Sequence, residues 1–251
     1  MNIKNFLLYG LNNAHALLSS KKYKITSINI LINSVANKDN SLIQKIALLN
    51  LDIQYLDKNK YMAKYKFKHT QGIVIEFSGD VIQELNSFKN FKDNTCYVII
   101  DKINDPQNLG QIIRTCECSG IDGIILARHG SVHITNTVLQ VSQGSFVNID
   151  LFVVTNLTNT ILELKKEGFW FTGVENSIDA KKWYEVDYTG KVGIVFGSEG
   201  KGISRLVLES CDFLSTIPMA GKTNSLNISS AISAIVFERQ RQITIKENLK
   251  N

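Results

Sequence analysis

No arginine occurs in the first 94 residues of this 251-residue chain, and no stretch approaches the run of about 20 apolar residues that a membrane-spanning helix needs. The apolar 44% of the sequence is broken into short runs. Residues 1–10 carry no basic segment leading into a long apolar one, so no secretory signal is expected and the cytoplasm is the expected compartment. Cysteine is sparse and unpatterned. Cys96, Cys116, Cys118 and Cys211 lack framework spacing, and Cys116 and Cys118 fall within an apolar-periodic helical pattern, which argues against disulfides and zinc knuckles. His129 and His133 are four apart, but Gly130 stands where a metalloprotease helix carries Glu, so no metal is expected. Nucleotide and hydrolase motifs fail as well. Gly197-Ser-Glu-Gly-Lys-Gly202 has the wrong glycine order and too late a position for a dinucleotide fingerprint. Thr216 stands where a P-loop ahead of Gly221-Lys222-Thr223 needs glycine, and there is no G-x-S-x-G elbow.

What is present is an uneven charge. Residues 1–94 hold 13 Lys and 7 acidic residues, a net +6, whereas residues 95–251 hold 15 Lys plus Arg against 16 acidic residues, a net −1. Such asymmetry assigns the polyanion-facing role to the first third. Within it, Lys64, Lys66 and Lys68 alternate with Tyr65 and Phe67. In an extended conformation this places three ammonium groups on one face and the aromatics on the other, a geometry for phosphates and unpaired bases. A lysine-blunted strand edge with its aromatics in the core is the competing reading.

Residues 1–77 read as a small α/β domain, with helical patterns at 11–20 and 41–49 and strands at 25–32, 53–56 and 72–77; Ser41 is the expected cap of the second helix. Residues 78–94 read as a linker. From 95 to 251, buried-type strands alternate with helices, the signature of a parallel sheet covered on both faces. Ligands of such sheets sit at the carboxyl ends of the strands. The loops after Ile100, Phe196 and Ile217 are therefore the candidate site, and Ser225-Leu226-Asn227 stands where the cap of the last helix belongs.

Asn108-Leu-Gly-Gln-Ile-Ile-Arg-Thr115, Val195-Phe-Gly-Ser-Glu-Gly-Lys-Gly-Ile203 and Ile217-Pro-Met-Ala-Gly with Ser225-Leu-Asn-Ile-Ser resemble, in order, the three motifs of the SpoU (TrmH) branch of the SPOUT RNA 2′-O-methyltransferases. The resemblance spans roughly residues 95–242. The amino-terminal part, with Tyr9-Gly-Leu-Asn and His69-Thr-Gln-Gly-Ile-Val74, is similar to the ribosomal-protein-like RNA-binding domain of the bacterial large-subunit rRNA guanosine methyltransferases. The resemblance implies an α/β-knot domain with a trefoil knot, a homodimer, S-adenosylmethionine as donor, and ribose 2′-O-methylation of a guanosine in 23S rRNA. A tRNA ribose methyltransferase and a non-catalytic RNA-binding module are the alternatives. By motif position it assigns the cofactor to Phe196, Gly197, Gly200, Ile217, Met219, Gly221 and Leu226, and the reaction to Asn108, Arg114, Glu199, Ser225 and Asn227. Arg114 often figures as the base in this family. A guanidinium does not readily give up its proton, so holding a phosphate and stabilising charge on the 2′-oxygen is the more economical role. Asn108 and Arg114, six apart, are expected on similar faces of one helix, and the glycines at 197, 200 and 221 are expected to admit the ligand to the backbone.

Overall fold

The computed structural model describes residues 4–49, 51, 53–66, 69–83, 91–177, 179–198 and 200–249. In chain order its main elements are β1 (Asn5–Tyr9), α1 (Leu11–Ser19), β2 (Lys24–Leu31), α2 (Val35–Lys38), α3 (Asn40–Ala47), β3 (Ile53–Leu56), α4 (Lys58–Lys64), β4 (Ile73–Ser78) and β5 (Ile82–Gln83). There follow β6 (Cys96–Ile100), α5 (Pro106–Cys118), β7 (Gly123–Ala127), α6 (Asn136–Val141), β8 (Asp150–Val154), α7 (Leu157–Lys166), β9 (Trp170–Val174), β10 (Lys181–Lys182), β11 (Val192–Phe196), α8 (Arg205–Glu209), β12 (Phe213–Thr216) and α9 (Ile228–Asn248). The chain divides into two compact units, Met1–Val81 with Ile134–Val147, and Ile82–His133 with Asn148–Asn251.

The first unit is built on a mixed sheet of order β1-β4-β2-β3, antiparallel except for the β2–β3 pair. Patterning alone assigns no element to Asn5–Tyr9, which forms an edge strand. Its backbone is held by side chains from α6: Leu7 N donates to Asn136 Oδ1 (3.2 Å), Tyr9 N donates to Gln140 Oε1 (3.0 Å), and Gln140 Nε2 donates back to the Tyr9 carbonyl (3.0 Å). Phe146 completes the packing, its ring stacked on Phe77 at 5.8 Å and tilted against Tyr23 at 5.5 Å. Segment 134–147 is thus part of this unit's core although it is encoded far downstream.

Gly144 fixes that segment. Its φ is +90°, and a Cβ there would stand 2.6 Å from the Ala16 Cβ and 3.0 Å from the Asn12 carbonyl oxygen. Gly144→Ala is expected to destabilise the unit by about 1–3 kcal/mol, through strain at positive φ and overpacking against α1. Chemical denaturation of the variant against the parent measures this.

Two local expectations are corrected here. Asp39, not Ser41, caps α3, its Oδ1 accepting from Leu42 N at 3.0 Å. The lysine-rich stretch is helical up to Lys64 rather than extended. Asp57 caps α4 by accepting from Lys60 N at 2.9 Å, and Tyr61 and Tyr65, four apart, are buried with Val74. A helix cap followed by an i, i+4 aromatic pair outweighs the period-2 alternation. The aromatic ring at 65 is therefore core, not a stacking platform. Lys64 is exposed and bonds Asn29 Oδ1 at 3.0 Å and Gln54 Oε1 at 3.4 Å; Lys66 is exposed; Phe67 and Lys68 lie outside the described residues.

The second unit carries a parallel sheet of order β10-β12-β9-β11-β6-β7-β8-β5. Its central strands β6 and β11 are buried at every position, as expected of strands covered on both faces. Each isoleucine or valine so buried contributes roughly 1.5–3 kcal/mol relative to exposure. On one side Tyr97, Phe152, Phe169 and Phe171 pack with Ile161, Leu164 and Val207. Parallel register brings the carboxyl ends of β9, β11 and β12 side by side, with Phe196 opposite both Val174 and Ile100.

Candidate donor-binding and catalytic site

The turn after β11 closes on itself. Ser198 and Gly202 exchange backbone hydrogen bonds, each at 3.0 Å, which brings Gly202 back beside the end of β11 as the base of a small hairpin. Gly197 makes this possible. A Cβ at 197 would lie 1.9 Å from the Gly202 carbonyl carbon and 2.1 Å from Ile203 N, both backbone atoms. The missing side chain therefore admits the protein's own loop, which corrects the expectation that it primarily admits a ligand. At Gly221 nothing would meet a Cβ within 4 Å. A buried carboxylate braces the hairpin from below: Asp101 Oδ2 accepts from Ser204 N at 2.6 Å, and Asp101 N donates to the Phe196 carbonyl at 3.0 Å.

The start of α9 supplies the facing wall. Asn227 is its cap, with Oδ1 accepting from Ser229 N at 2.8 Å, so the capping role falls to Asn227 and not to Ser225. The Asn227 amide Nδ2 donates to Asn108 Oδ1 at 3.1 Å, tying this helix start to the first turn of α5. The Ser229 hydroxyl has one proton and two acceptors in reach, Asn227 Oδ1 at 2.7 Å and Gln111 Oε1 at 3.1 Å. Asp105 caps α5 by accepting from Gln107 N at 2.8 Å, with Pro106 in the first turn. Asn108, at the same end of the helix, is buried.

Between these walls is a cavity of about 680 Å³ lined by residues of β9, β11 and β12 and of the segments that follow them. Of the positions expected to hold a cofactor, Phe196, Gly197, Gly200, Ile217, Met219 and Leu226 line it; Gly221 does not. Ser225 and Asn227 line it too, and Asn227 brings Asn108 to it through their hydrogen bond. Glu199 lies outside the described residues. Arg114 is not in the lining. It is exposed on α5 and makes no hydrogen bond or ion pair with a described residue. Six residues at about 100° each leave it roughly 120° around the helix from buried Asn108, which corrects the expectation of a shared face.

Sequence reasoning missed one wall. Val174, Glu175 and Asn176, at the carboxyl end of β9, line the cavity, and Asn176 Nδ2 donates to the Asn224 carbonyl at 3.1 Å. The rule that selected the loops after Ile100, Phe196 and Ile217 would have selected these residues had it been applied to β9 as well.

A covered parallel sheet with a cavity at its carboxyl edge, flanked by a looped turn and a capped helix start, defines an α/β ligand-binding domain. The chain belongs to the SpoU rRNA methylase family, whose profile matches residues 95–237. It is 48% identical over 143 residues, 56% of each chain, to a Staphylococcus saprophyticus protein named as a TrmH family tRNA/rRNA methyltransferase. It is 32% identical over 242 residues, 95% of this chain and 98% of the other, to the 23S rRNA (guanosine-2′-O-)-methyltransferase RlmB of Shewanella oneidensis. Among solved structures, its fold matches that of the SpoU methyltransferase AviRb of Streptomyces viridochromogenes in complex with AdoMet, with a TM-score of 0.80 at 19% identity over 96% of this chain and 91% of that one.

Proposed function

We propose that this protein methylates a ribose 2′-hydroxyl of RNA with S-adenosylmethionine as donor, and that its target is a guanosine of large-subunit rRNA. The observation that carries the reading is the cavity at the carboxyl ends of β9, β11 and β12, where the lining residue Asn227 is bonded to Asn108 of α5. A volume of about 680 Å³ lies in the range of small-molecule sites. Its mixture of apolar side chains (Phe196, Ile217, Leu226) with polar ones (Asn176, Ser225, Asn227) fits a molecule with an adenine, a ribose and an amino-acid tail. When bound, S-adenosylmethionine supplies a methyl group activated by its sulfonium charge.

The protein's own residues then need to hold the ribose hydroxyl, exclude water and manage one proton. Asn227 suits positioning, since both ends of its amide are occupied and its orientation is fixed. Ser225 offers an exposed hydroxyl in the cavity wall. We assign Arg114, a cation with no partner among the described residues, to the target phosphate and to the charge that develops on the 2′-oxygen. Glu199 is assigned to the same site by its motif position alone. Lys64 and Lys66, exposed on the net-positive first unit, are assigned to the RNA backbone. We further assign the protein to the cytoplasm and to a homodimer. The exposed apolar side chains of Leu226 and, on α9, Phe237 support the dimer.

Near full-length similarity to the Shewanella enzyme favours the rRNA guanosine. The relative at 48% identity, named for tRNA and rRNA alike, favours tRNA as the second reading. Mapping 2′-O-methyl groups in rRNA and tRNA from cells with and without the protein separates them. Loss at one large-subunit guanosine is expected. Loss in tRNA alone selects the second reading, and an unchanged map in both leaves only RNA binding.

A further inference from the structure

Glu175 is the unexplained group in the cavity wall. Its Oε2 is buried and has no hydrogen-bond partner among the described residues, although the residue lines a cavity otherwise well supplied with polar contacts. Burying a carboxylate oxygen without a donor costs stability, and such atoms persist where a ligand supplies the missing donor. The backbone around it is fully used: Glu175 N donates to the Ser215 carbonyl at 2.9 Å, and the Glu175 carbonyl accepts from Ser177 N at 3.1 Å. The backbone of Glu175 is therefore held at a fixed strand end, and its Oε2 is the atom without a partner among the described residues.

Its neighbours say which part of a ligand it meets. Glu175 Oε1 lies 3.1 Å from where a Cβ on Gly202 would stand, and Gly202 in turn packs backbone to backbone on Gly197. Glu175 is thus one residue's thickness from Gly197, and the donor reading is taken here to set the adenine against the apolar wall at Phe196–Gly197. The group joined directly to the adenine is the ribose, whose two neighbouring hydroxyls are O–H donors. A carboxylate, acceptor-only with two oxygens, complements that pair. The sulfonium has no N–H or O–H and cannot satisfy the orphan atom. We propose that Glu175 is a cofactor-positioning residue that accepts hydrogen bonds from the ribose hydroxyls of the methyl donor, an inference that rests on the donor reading above.

The test is calorimetric binding of S-adenosylhomocysteine, adenosine, 2′-deoxyadenosine and 3′-deoxyadenosine to the full chain and to its Glu175→Gln variant, with thermal melts of both proteins. For the variant, S-adenosylhomocysteine binding is expected to weaken by about 10- to 100-fold. The preference of the parent for adenosine over the deoxynucleosides is expected to vanish. The ligand-free variant is expected to melt no lower than the parent, because the changed oxygen, Oε2, makes no hydrogen bond among the described residues. A structural role would instead lower the melt and keep the preference, which overturns the inference. Loss of S-adenosylhomocysteine binding with adenosine binding unchanged also overturns it, by moving the contact to the amino-acid tail. Unchanged binding of every ligand overturns the inference alone, whereas a parent chain that binds no S-adenosylhomocysteine overturns the donor reading and the inference together.

Discussion

Gly197→Ala is expected to remove S-adenosylhomocysteine binding, by at least about 100-fold, while most of the second unit's sheet stays folded. The added methyl would sit 1.9 Å from the Gly202 carbonyl carbon, inside a hairpin held by two backbone hydrogen bonds. Neither side of this contact is a flexible side-chain tip, so the hairpin itself has to open. Opening it breaks the Ser198–Gly202 pair and pulls on the Ser204 N bond to Asp101, displacing the wall formed by Gly197, Ser198, Gly200 and Gly202. The stability loss is expected at about 1–3 kcal/mol, the ordinary cost of overpacking. Gly221→Ala is the comparison, since its Cβ would meet nothing within 4 Å and the expected change is within about 0.5 kcal/mol. Calorimetry with denaturation curves measures both. Tight ligand binding by the alanine variant at 197 would show that the hairpin is not part of the site.

Arg114→Ala is expected to lower methyl transfer by about 10²–10³-fold or more, with ligand affinity and stability nearly unchanged. Stability should be spared because the side chain is exposed and bonds no described residue. Affinity should be spared because Arg114 is not among the cavity-lining residues. Arg114→Lys distinguishes clamp from base. A clamp needs only positive charge, so lysine should restore part of the rate with the pH profile of the parent. A general base at this position would make the rate climb with pH toward the guanidinium range. Single-turnover transfer to an RNA substrate across pH reads this out, and a fully active alanine variant removes Arg114 from the reaction.

The buried strands were legible because burial on both faces leaves no room for polar residues: Cys96–Ile100 and Val192–Phe196 read as strands from composition alone. The loops following β11 and β12, singled out by their motifs, line the cavity. The lysine stretch misled because local alternation was read without the Asp57 cap upstream and the Tyr61–Tyr65 spacing. Glu175 was hidden for another reason. A glutamate at a strand end has no signature of its own, and only the folded structure reveals that one of its oxygens lacks a partner among the described residues. The membership of residues 134–147 in the first unit was equally hidden, since it rests on Asn136 and Gln140 bonding the backbone of a strand about 130 positions earlier.

That last feature bears on how the protein is made. Ile134 follows Val81 by 53 residues, so a ribosome that has released the first sheet has not yet produced the helix that covers its edge strand. At about 5–20 residues per second the gap lasts roughly 3–10 s. During that interval the Leu7 and Tyr9 backbone N–H groups of the β1 edge await Asn136 and Gln140, which bond them in the finished fold. The first unit is therefore complete only after residue 147 has been made, although its sheet is already encoded by residue 81.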